Sequence, residues 1–411
     1  MHDNAVAKAM MQQGCDIQLV PTYTPIRTDE EDVSVDQVFF GGINVFLQQK
    51  IPLLRLVPGF LDRFLDNAWL IRKATSRSTD MKPETLGALT VSMLKGSKGN
   101  QRKEVNRLCR WLAEEQPDVV LFTNALIVGC IPEIKRRTSA KVWVTLQGDD
   151  VFLDSLPKNH RQQCIDSISR IANDVDGFVT HSQFYKNRMS EYFSIPLEKI
   201  HVTRLGLDLT GFESAGKTGT DGVVTIGYLA RLAHEKGFHH LVDAFVKLKQ
   251  QPATEHIRLR AAGWLGDQNK AYAQENFDKL AGAGLSDAFE YIGQVTREEK
   301  IEFLRGVDVL CVPTEFLEPK ALYALEAMAM GIPVVEPNHG CFPELIESTG
   351  GGLLYDPSDM EELKLQLFTL ANDSQQRTEI GRRGQEAVQR ERSAAAMAVE
   401  LAQVLFGKET R

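Results

Sequence analysis

The chain has 411 residues, 43% of them hydrophobic and 25% charged, with a formal net charge of -8. That length supports two or three domains, each large enough to bury its own core, and the composition excludes disordered, collagen-like and coiled-coil classes. The acidic balance argues against a general nucleic-acid binder. Six cysteines without a CxxC pair and histidines without a metal-ligand spacing point to neither a disulfide framework nor a zinc site.

The chain contains no uninterrupted apolar run long enough to span a bilayer and does not open with a basic-then-apolar leader, so it reads as cytoplasmic. Residues 3–13 predict a helix closing at Gly14, followed by a strand over 16–20, although a doubly wound domain ordinarily begins with a strand. Residues 51–73 carry one apolar helical face interrupted at Pro58, inside a basic region, 55–110, with twelve basic and five acidic residues. Two readings of this region stand side by side: a core-packing helix with a solvated cationic face, and peripheral contact with an anionic membrane.

From residue 102 onward the pattern alternates: helix 103–115, strand 118–122, helix 127–137, strand 141–146, helix 160–172, strand 177–180. The glycine-rich, apolar-poor stretch 208–222 reads as a linker. Alternation then resumes with strands 223–228, 257–262, 289–292, 307–312 and 333–335, and helices 238–249, 269–281, 297–305 and 320–330 between them. The expected fold class is α/β, with two doubly wound Rossmann-like domains, 1–207 and 223–392. Residues 393–411 form a C-terminal helix expected to pack back toward the first domain. Open parallel sheets bind ligands beyond the carboxyl ends of their strands, so a crevice between two such domains is the expected ligand site.

The most informative stretch is Pro313-Thr-Glu-Phe-Leu-Glu318-Pro-Lys-Ala-Leu-Tyr-Ala-Leu-Glu326-Ala-Met-Ala-Met-Gly331. A strand ends at Pro313, Pro319 suits a first helical turn, and Gly331 suits a helix end. Read as one helix, the two glutamates lie about 12 Å apart along the axis at about 1.5 Å per residue. That separation fits an extended phosphate ligand, with a diphosphate on the helix N-terminus and a carboxylate for hydroxyls at each end. Glu326 lies among Leu325, Ala327, Met328 and Ala329, and a carboxylate buried there needs a partner.

This stretch resembles the paired-glutamate motif of family-four (group 1) retaining glycosyltransferases of the GT-B fold, usually Glu-Gly-Phe-Gly-Leu-x-x-x-Glu-Ala-Met-Ala. The resemblance implies that Glu318 contacts the donor sugar's hydroxyls and that Glu326 holds the ribose. Pro319, Lys320 and Ala321 stand where Gly, Phe and Gly are usual. The turn made by Lys320, Ala321 and Leu322 is then a stiffer, more cationic phosphate-facing segment. Gly227-Tyr-Leu-Ala-Arg231-Leu-Ala-His-Glu-Lys236-Gly237 is similar to the family segment whose Arg and Lys hold the donor diphosphate, which assigns that role to Arg231 and Lys236. Tyr291-Ile-Gly293-Gln-Val295 resembles the segment near the nucleotide base, and Gly293 and Val295 are therefore expected on the donor side. Asn338-His-Gly340 and Gly350-Gly-Gly352 continue the same order.

In the first half the likeness is thinner. Residues 2–16 resemble the family's first helix without the strand and glycine-rich loop that normally precede it, so the expectation is a missing first strand arising from a misassigned start. Val144-Thr-Leu-Gln147-Gly148-Asp149-Asp150 stands where many members place a His. Gln147 can hydrogen-bond an acceptor but cannot titrate, with Asp149 or Asp150 as substitutes. Glu315 competes with Glu318 for the sugar role, His181 reads as ligand contact or hydrogen-bonded scaffold, and His234, His239 and His240 read as scaffold or surface.

The expected activity is transfer of a hexose from a UDP- or GDP-linked donor to a hydroxyl acceptor with retention, in glycolipid or polysaccharide synthesis, without metal or other cofactor. The alternatives are a sugar-nucleotide epimerase and a catalytically impaired nucleotide-sugar-binding homologue.

Overall fold

The computed structural model describes residues 2–23, 32–35, 38–41, 45–46, 48–49, 83–212 and 222–407. The amphipathic segment 51–73 lies outside the described residues, as do most of the basic region up to residue 82 and the linker core 213–221. The chain divides into two compact units, one of residues 1–203 with 398–411, the other of residues 204–397.

In the first unit, helix α1 (His2–Gln12) ends where Gly14 takes a φ of 86°. Helices α2 (Pro83–Leu94) and α3 (Arg102–Glu115) lead into a parallel sheet ordered β1 (Val119–Phe122), β2 (Lys141–Thr145), β3 (Gly177–Thr180), β4 (Ile200–Val202). Between the strands run α4 (Ile131–Arg137), α5 (Asp149–Asp154), α6 (Lys158–Ile171) and α7 (Gln183–Phe193). Val142, Val144, Ile168, Phe178, Tyr185 and Met189 are almost fully buried in one core.

Three expectations fail here for local reasons. Among the described residues the segment 16–20 pairs through a single bridge, Leu19 to Ser34, with a second at Thr22 to Phe39 just beyond it, because Pro21 has no N–H to continue a ladder. The helix expected over 127–137 is broken into a 3₁₀ segment, Ala125–Cys130, and α4, since Pro132 cannot donate to the carbonyl one turn back. Helix α7 is absent from the sequence reading although Ser182 caps it, its hydroxyl accepting from the Tyr185 N–H.

The second unit is a six-stranded parallel sheet in the order β10-β9-β8-β5-β6-β7. Its strands are β5 (Val224–Leu229), β6 (Ile257–Ala262), β7 (Phe289–Tyr291), β8 (Val309–Cys311), β9 (Val334–Pro337) and β10 (Gly352–Tyr355). Helices α8 (Phe238–Lys249), α9 (Lys270–Gly282), α10 (Arg297–Arg305), α11 (Leu322–Ala329) and α12 (Phe342–Thr349) make the crossovers, followed by α13 (Met360–Asn372) and α14 (Ser374–Glu391); the last helix, α15 (Ala394–Phe406), belongs to the first unit from Ala398 onward. Strands, being covered on both faces, read as continuous apolar runs, and all six residues of β5 are buried. Helix α8 buries Phe238, Leu241, Val242, Phe245 and Leu248, each contributing roughly 1.5–3 kcal/mol.

Strand order reverses between β5 and β8, which are hydrogen-bonded neighbours with Ile226 opposite Val309. Loops leaving adjacent strands at such a switch point run in opposite directions and open a crevice at the carboxyl ends.

Candidate functional site

Lys236 follows β5 and Glu318 follows β8, and the ammonium Nζ donates to the Glu318 Oε2 at 2.7 Å. Both side chains are largely buried, at 13% and 9% exposure, so each charge depends on the other. The Lys236 ammonium also sits over the Phe316 ring, 4.3 Å from its centroid. Two glycines make this approach possible. Gly237 has a φ of 70°, and a Cβ there would meet the Pro313 carbonyl oxygen at 1.7 Å. Gly340, with φ 62°, brings the loop after β9 onto the Glu318 backbone, and the Cys341 N–H donates to the Glu318 carbonyl at 2.9 Å.

Glu326 lies on α11 and is 6% exposed. The Lys300 ammonium of α10 contacts its carboxylate directly and lies 5.8 Å from the Phe212 ring. Lys300 is missed by sequence reasoning, since one lysine in the charged run of α10 looks like any solvated residue; only the crossover from β7 to β8 brings it to Glu326. A capping box, Thr296 with Glu299, fixes where that helix starts.

The helix expected to begin at Pro319 begins at Leu322 instead, which corrects the single-helix reading of the two glutamates. Ala321 is its N-cap, fully buried with a left-handed φ of 50°, and the Ala321 N–H donates weakly to Glu318 Oε1 at 3.4 Å. Pro319 disfavours a helical conformation at Glu318, so the chain turns before it winds. A Cβ in the left-handed region is strained, and the resemblance has Gly at this place. Lys320 is half-buried on the same turn. Gly293, with φ 84°, accepts the Gly263 N–H on its carbonyl at 2.8 Å, and Val295 packs on the apolar cluster that includes Leu325 and Phe342. Arg231 is half-exposed and pairs with Glu235 at 3.0 Å.

Behind Glu318 lies a carboxyl that sequence reasoning also misses. Glu336 of β9 is fully buried, and burial pushes its pKa well up, with the neighbouring Glu318 charge adding to the effect. Its oxygen Oε2 accepts from the Tyr323 hydroxyl at 3.4 Å.

The three histidines taken as scaffold or surface gather around Glu315. His234 Nδ1 lies 3.2 Å and His239 Nε2 3.3 Å from its carboxylate oxygens, and His240 Nε2 lies at 2.9 Å. Burial, then the neighbouring His240 and His234 rings, push the His239 pKa down. Glu315 is thereby tied to the turn after β5 and the first turn of α8 by contacts distinct from the Lys236–Glu318 pair.

In the first unit, the loop after β2 is tied to the protein itself. Asp149 is buried; it accepts the Ala125 N–H at 2.7 Å and the Gln147 N–H at 3.1 Å. Burial raises its pKa to about 6 against the pull of those bonds. The Gln147 side-chain amide donates to the Thr123 carbonyl at 2.6 Å. Asp150 accepts from the Tyr185 hydroxyl at 2.6 Å and pairs with Arg188. His181 is buried with Nδ1 3.2 Å from the Thr203 carbonyl oxygen.

Residues 213–387 match the sequence profile of the family described as Glycosyl transferases group 1. The chain is 25% identical over 209 residues to glycogen synthase of Mycobacterium tuberculosis, covering 50% of this chain and 48% of that protein. It is 30% identical over 181 residues to the amylovoran biosynthesis glycosyltransferase AmsK of Erwinia amylovora, covering 43% of each. The chain thus spans about half the length of these relatives. Among solved structures, HepE of Anabaena in complex with UDP aligns with a TM-score of 0.66 and 19% identity, over 76% of this chain and 84% of that one. That likeness shows the fold, two parallel α/β domains of the glycosyltransferase GT-B class. None of the described helices is long and apolar enough to cross a membrane.

Proposed function

From the premise that residues 213–387 are a group 1 glycosyltransferase domain, we propose that the chain transfers a hexose, with retention, from a nucleoside-diphosphate sugar to a hydroxyl acceptor. The observation that carries this reading is the buried Lys236–Glu318 pair at the β5–β8 switch point, the place where an α/β sheet of this order binds phosphates. HepE of Anabaena was solved with UDP and with UDP-glucose, which supports a donor of the same chemical class.

In this reading the donor diphosphate takes the Lys236 ammonium from Glu318 and adds the Arg231 guanidinium. The freed Glu318 carboxylate then accepts hydroxyl groups of the sugar. As the sugar–phosphate bond breaks, charge grows on the diphosphate, and Lys236, Arg231 and the backbone N–H groups at Leu322 stabilise it in a water-poor site. Lys320 adds a cation to that turn, and Ala321 sets its shape. Glu326, held ready by Lys300, takes the ribose hydroxyls, with Gly293 and Val295 beside the base. Among the described residues no side chain is placed as a covalent nucleophile, so the acceptor hydroxyl attacks on the face from which the diphosphate leaves, through an oxocarbenium-like state, and its proton passes to the departing diphosphate oxygen as the sugar–phosphate bond breaks. On the acceptor side Gln147 presents its amide, and Asp149 acts by holding the Gln147 loop in shape.

Calorimetric titration with UDP and GDP of the wild type and Glu326→Ala, with released sugar and product followed across a donor panel, tests this reading. Binding of one nucleotide that is lost in the variant, with product only when acceptor is added, supports it. Turnover of the donor to an epimer without acceptor would replace it with the epimerase reading, and binding without turnover with the impaired homologue.

The reading places the protein in the cytoplasm, in glycolipid or polysaccharide synthesis, with peripheral contact to anionic membrane through the basic region 55–110. Co-sedimentation with anionic liposomes that survives charge reversal at Arg72, Lys73 and Arg77 would defeat the membrane part.

A further inference from the structure

The turn after β5 and the loop after β8 meet at a second place, where Glu315 contacts His234 and His239. We propose that His234, His239 and Glu315 form a binding site for a divalent transition-metal ion of the zinc type. This inference is independent of the glycosyltransferase reading.

The three residues come from three pieces of chain: the 3₁₀ turn His234–Lys236, the first turn of α8, and the loop after β8. One ligand atom of each lies within 4.8 Å of the others. His234 Nδ1 lies 3.2 Å from Glu315 Oε2 and His239 Nε2 3.3 Å from Glu315 Oε1, so each ring faces its own oxygen of one carboxylate, close enough for a single ion with bonds of about 2.0–2.2 Å to reach both rings and one oxygen after a small side-chain rotation. Two imidazoles and one carboxylate are the donor set of open zinc sites, and imidazole favours zinc, cobalt or nickel over magnesium or calcium. His234 is 67% exposed and Glu315 40%, which leaves a coordination position open to solvent.

The outer partners needed to orient such ligands are present. The Tyr272 hydroxyl lies 2.8 Å from His239 Nδ1 and accepts the His239 backbone N–H at 3.0 Å, which directs Nε2 toward Glu315. His240 Nε2, 2.9 Å from Glu315 Oε1, fixes the same carboxylate oxygen that His239 faces. The main chain under the ligands is also tied: the Glu315 N–H and the Thr314 hydroxyl both donate to the Glu235 carbonyl, at 3.0 and 2.9 Å. Three imidazole rings packed this closely, with centroids 4.5 Å apart for His234 and His239 and 3.9 Å for His239 and His240, crowd one carboxylate more than a surface ion pair requires. A bound ion would cross-link the two segments that carry Lys236 and Glu318.

The test uses the untagged full chain, stripped with chelator and dialysed, titrated with zinc chloride by calorimetry and with cobalt chloride by visible absorption. The expected result is one ion per chain, cobalt bands of a low-coordinate site, and a higher melting temperature with zinc. His234→Ala and Glu315→Gln, both at exposed positions that leave the fold intact by circular dichroism, should each weaken binding at least about tenfold, and Tyr272→Phe by about tenfold through the lost outer contact. Absence of one-to-one binding at roughly 100 micromolar zinc, or affinity unchanged in the His234→Ala/Glu315→Gln double variant, would overturn the assignment.

Discussion

The loop after β2 in the first unit and the loop after β8 in the second both place acidic residues beyond the carboxyl end of a parallel strand, yet they commit them differently. Asp149 and Asp150 are bound by backbone N–H groups, a tyrosine hydroxyl and an arginine of the same unit. Glu318 and Glu326 are each met by the end of one lysine, Glu318 with only a long 3.4 Å backbone contact from the Ala321 N–H besides. A carboxylate that accepts backbone N–H groups cannot leave without stranding buried donors, whereas a lysine on a four-carbon stem can exchange one anion for another. The first arrangement shapes a loop, and the second, in the function proposed above, keeps charged groups available to a ligand.

The largest effect that would sharpen this comparison is expected at the exchangeable pair. Glu318→Ala and Lys236→Ala should each lower the transfer rate about 10²–10³-fold. A loss below tenfold in both, by initial rates at saturating donor, would mean the pair is only scaffold. Asp149→Ala should instead cost stability, about 1–3 kcal/mol for the stranded Ala125 and Gln147 N–H groups, measured as a lower denaturation midpoint with unchanged nucleotide affinity. Loss of nucleotide affinity in that variant would erase the distinction between the loops.

Glu326→Gln keeps the shape and removes the charge, and should weaken nucleotide binding about tenfold, or about 1.4 kcal/mol, by calorimetry. A smaller effect is expected from Ala321→Gly, which relieves the left-handed φ of 50° and should stabilise by about 1 kcal/mol or less.

The last prediction concerns pH. Because burial raises the Glu336 pKa, the folded protein binds a proton there that the unfolded chain releases above the usual carboxylate range. That contribution is full below the unfolded pKa and fades as pH rises toward the folded one. Glu336→Gln should therefore raise the melting temperature relative to wild type by about 2–4 °C at pH 8 and by less at pH 5. An advantage that grows toward low pH would show that Glu336 is charged in the folded state.

Much of the second unit was legible in the sequence. Helices 238–249 and 297–305 and strand 257–262 match residue for residue, since β-branched apolar runs and amphipathic periods of this strength leave few alternatives. Positions that failed were those where a single proline or backbone angle decides: Pro21, Pro132, and the turn from Pro319 to Ala321. The motifs single out Lys236, Glu318 and Glu326 by local spacing, but not their partners.

By itself, then, the sequence determined the alternation of strands and helices, the two-domain α/β class and the motif glutamates, because these rest on local periodicity and short-range spacing. Only the tertiary structure decided that Lys300 meets Glu326, that Glu336 is buried behind Glu318, and that three histidines converge on Glu315. Those contacts join residues 18 to 81 positions apart, and their existence depends on strand order, which no local pattern encodes.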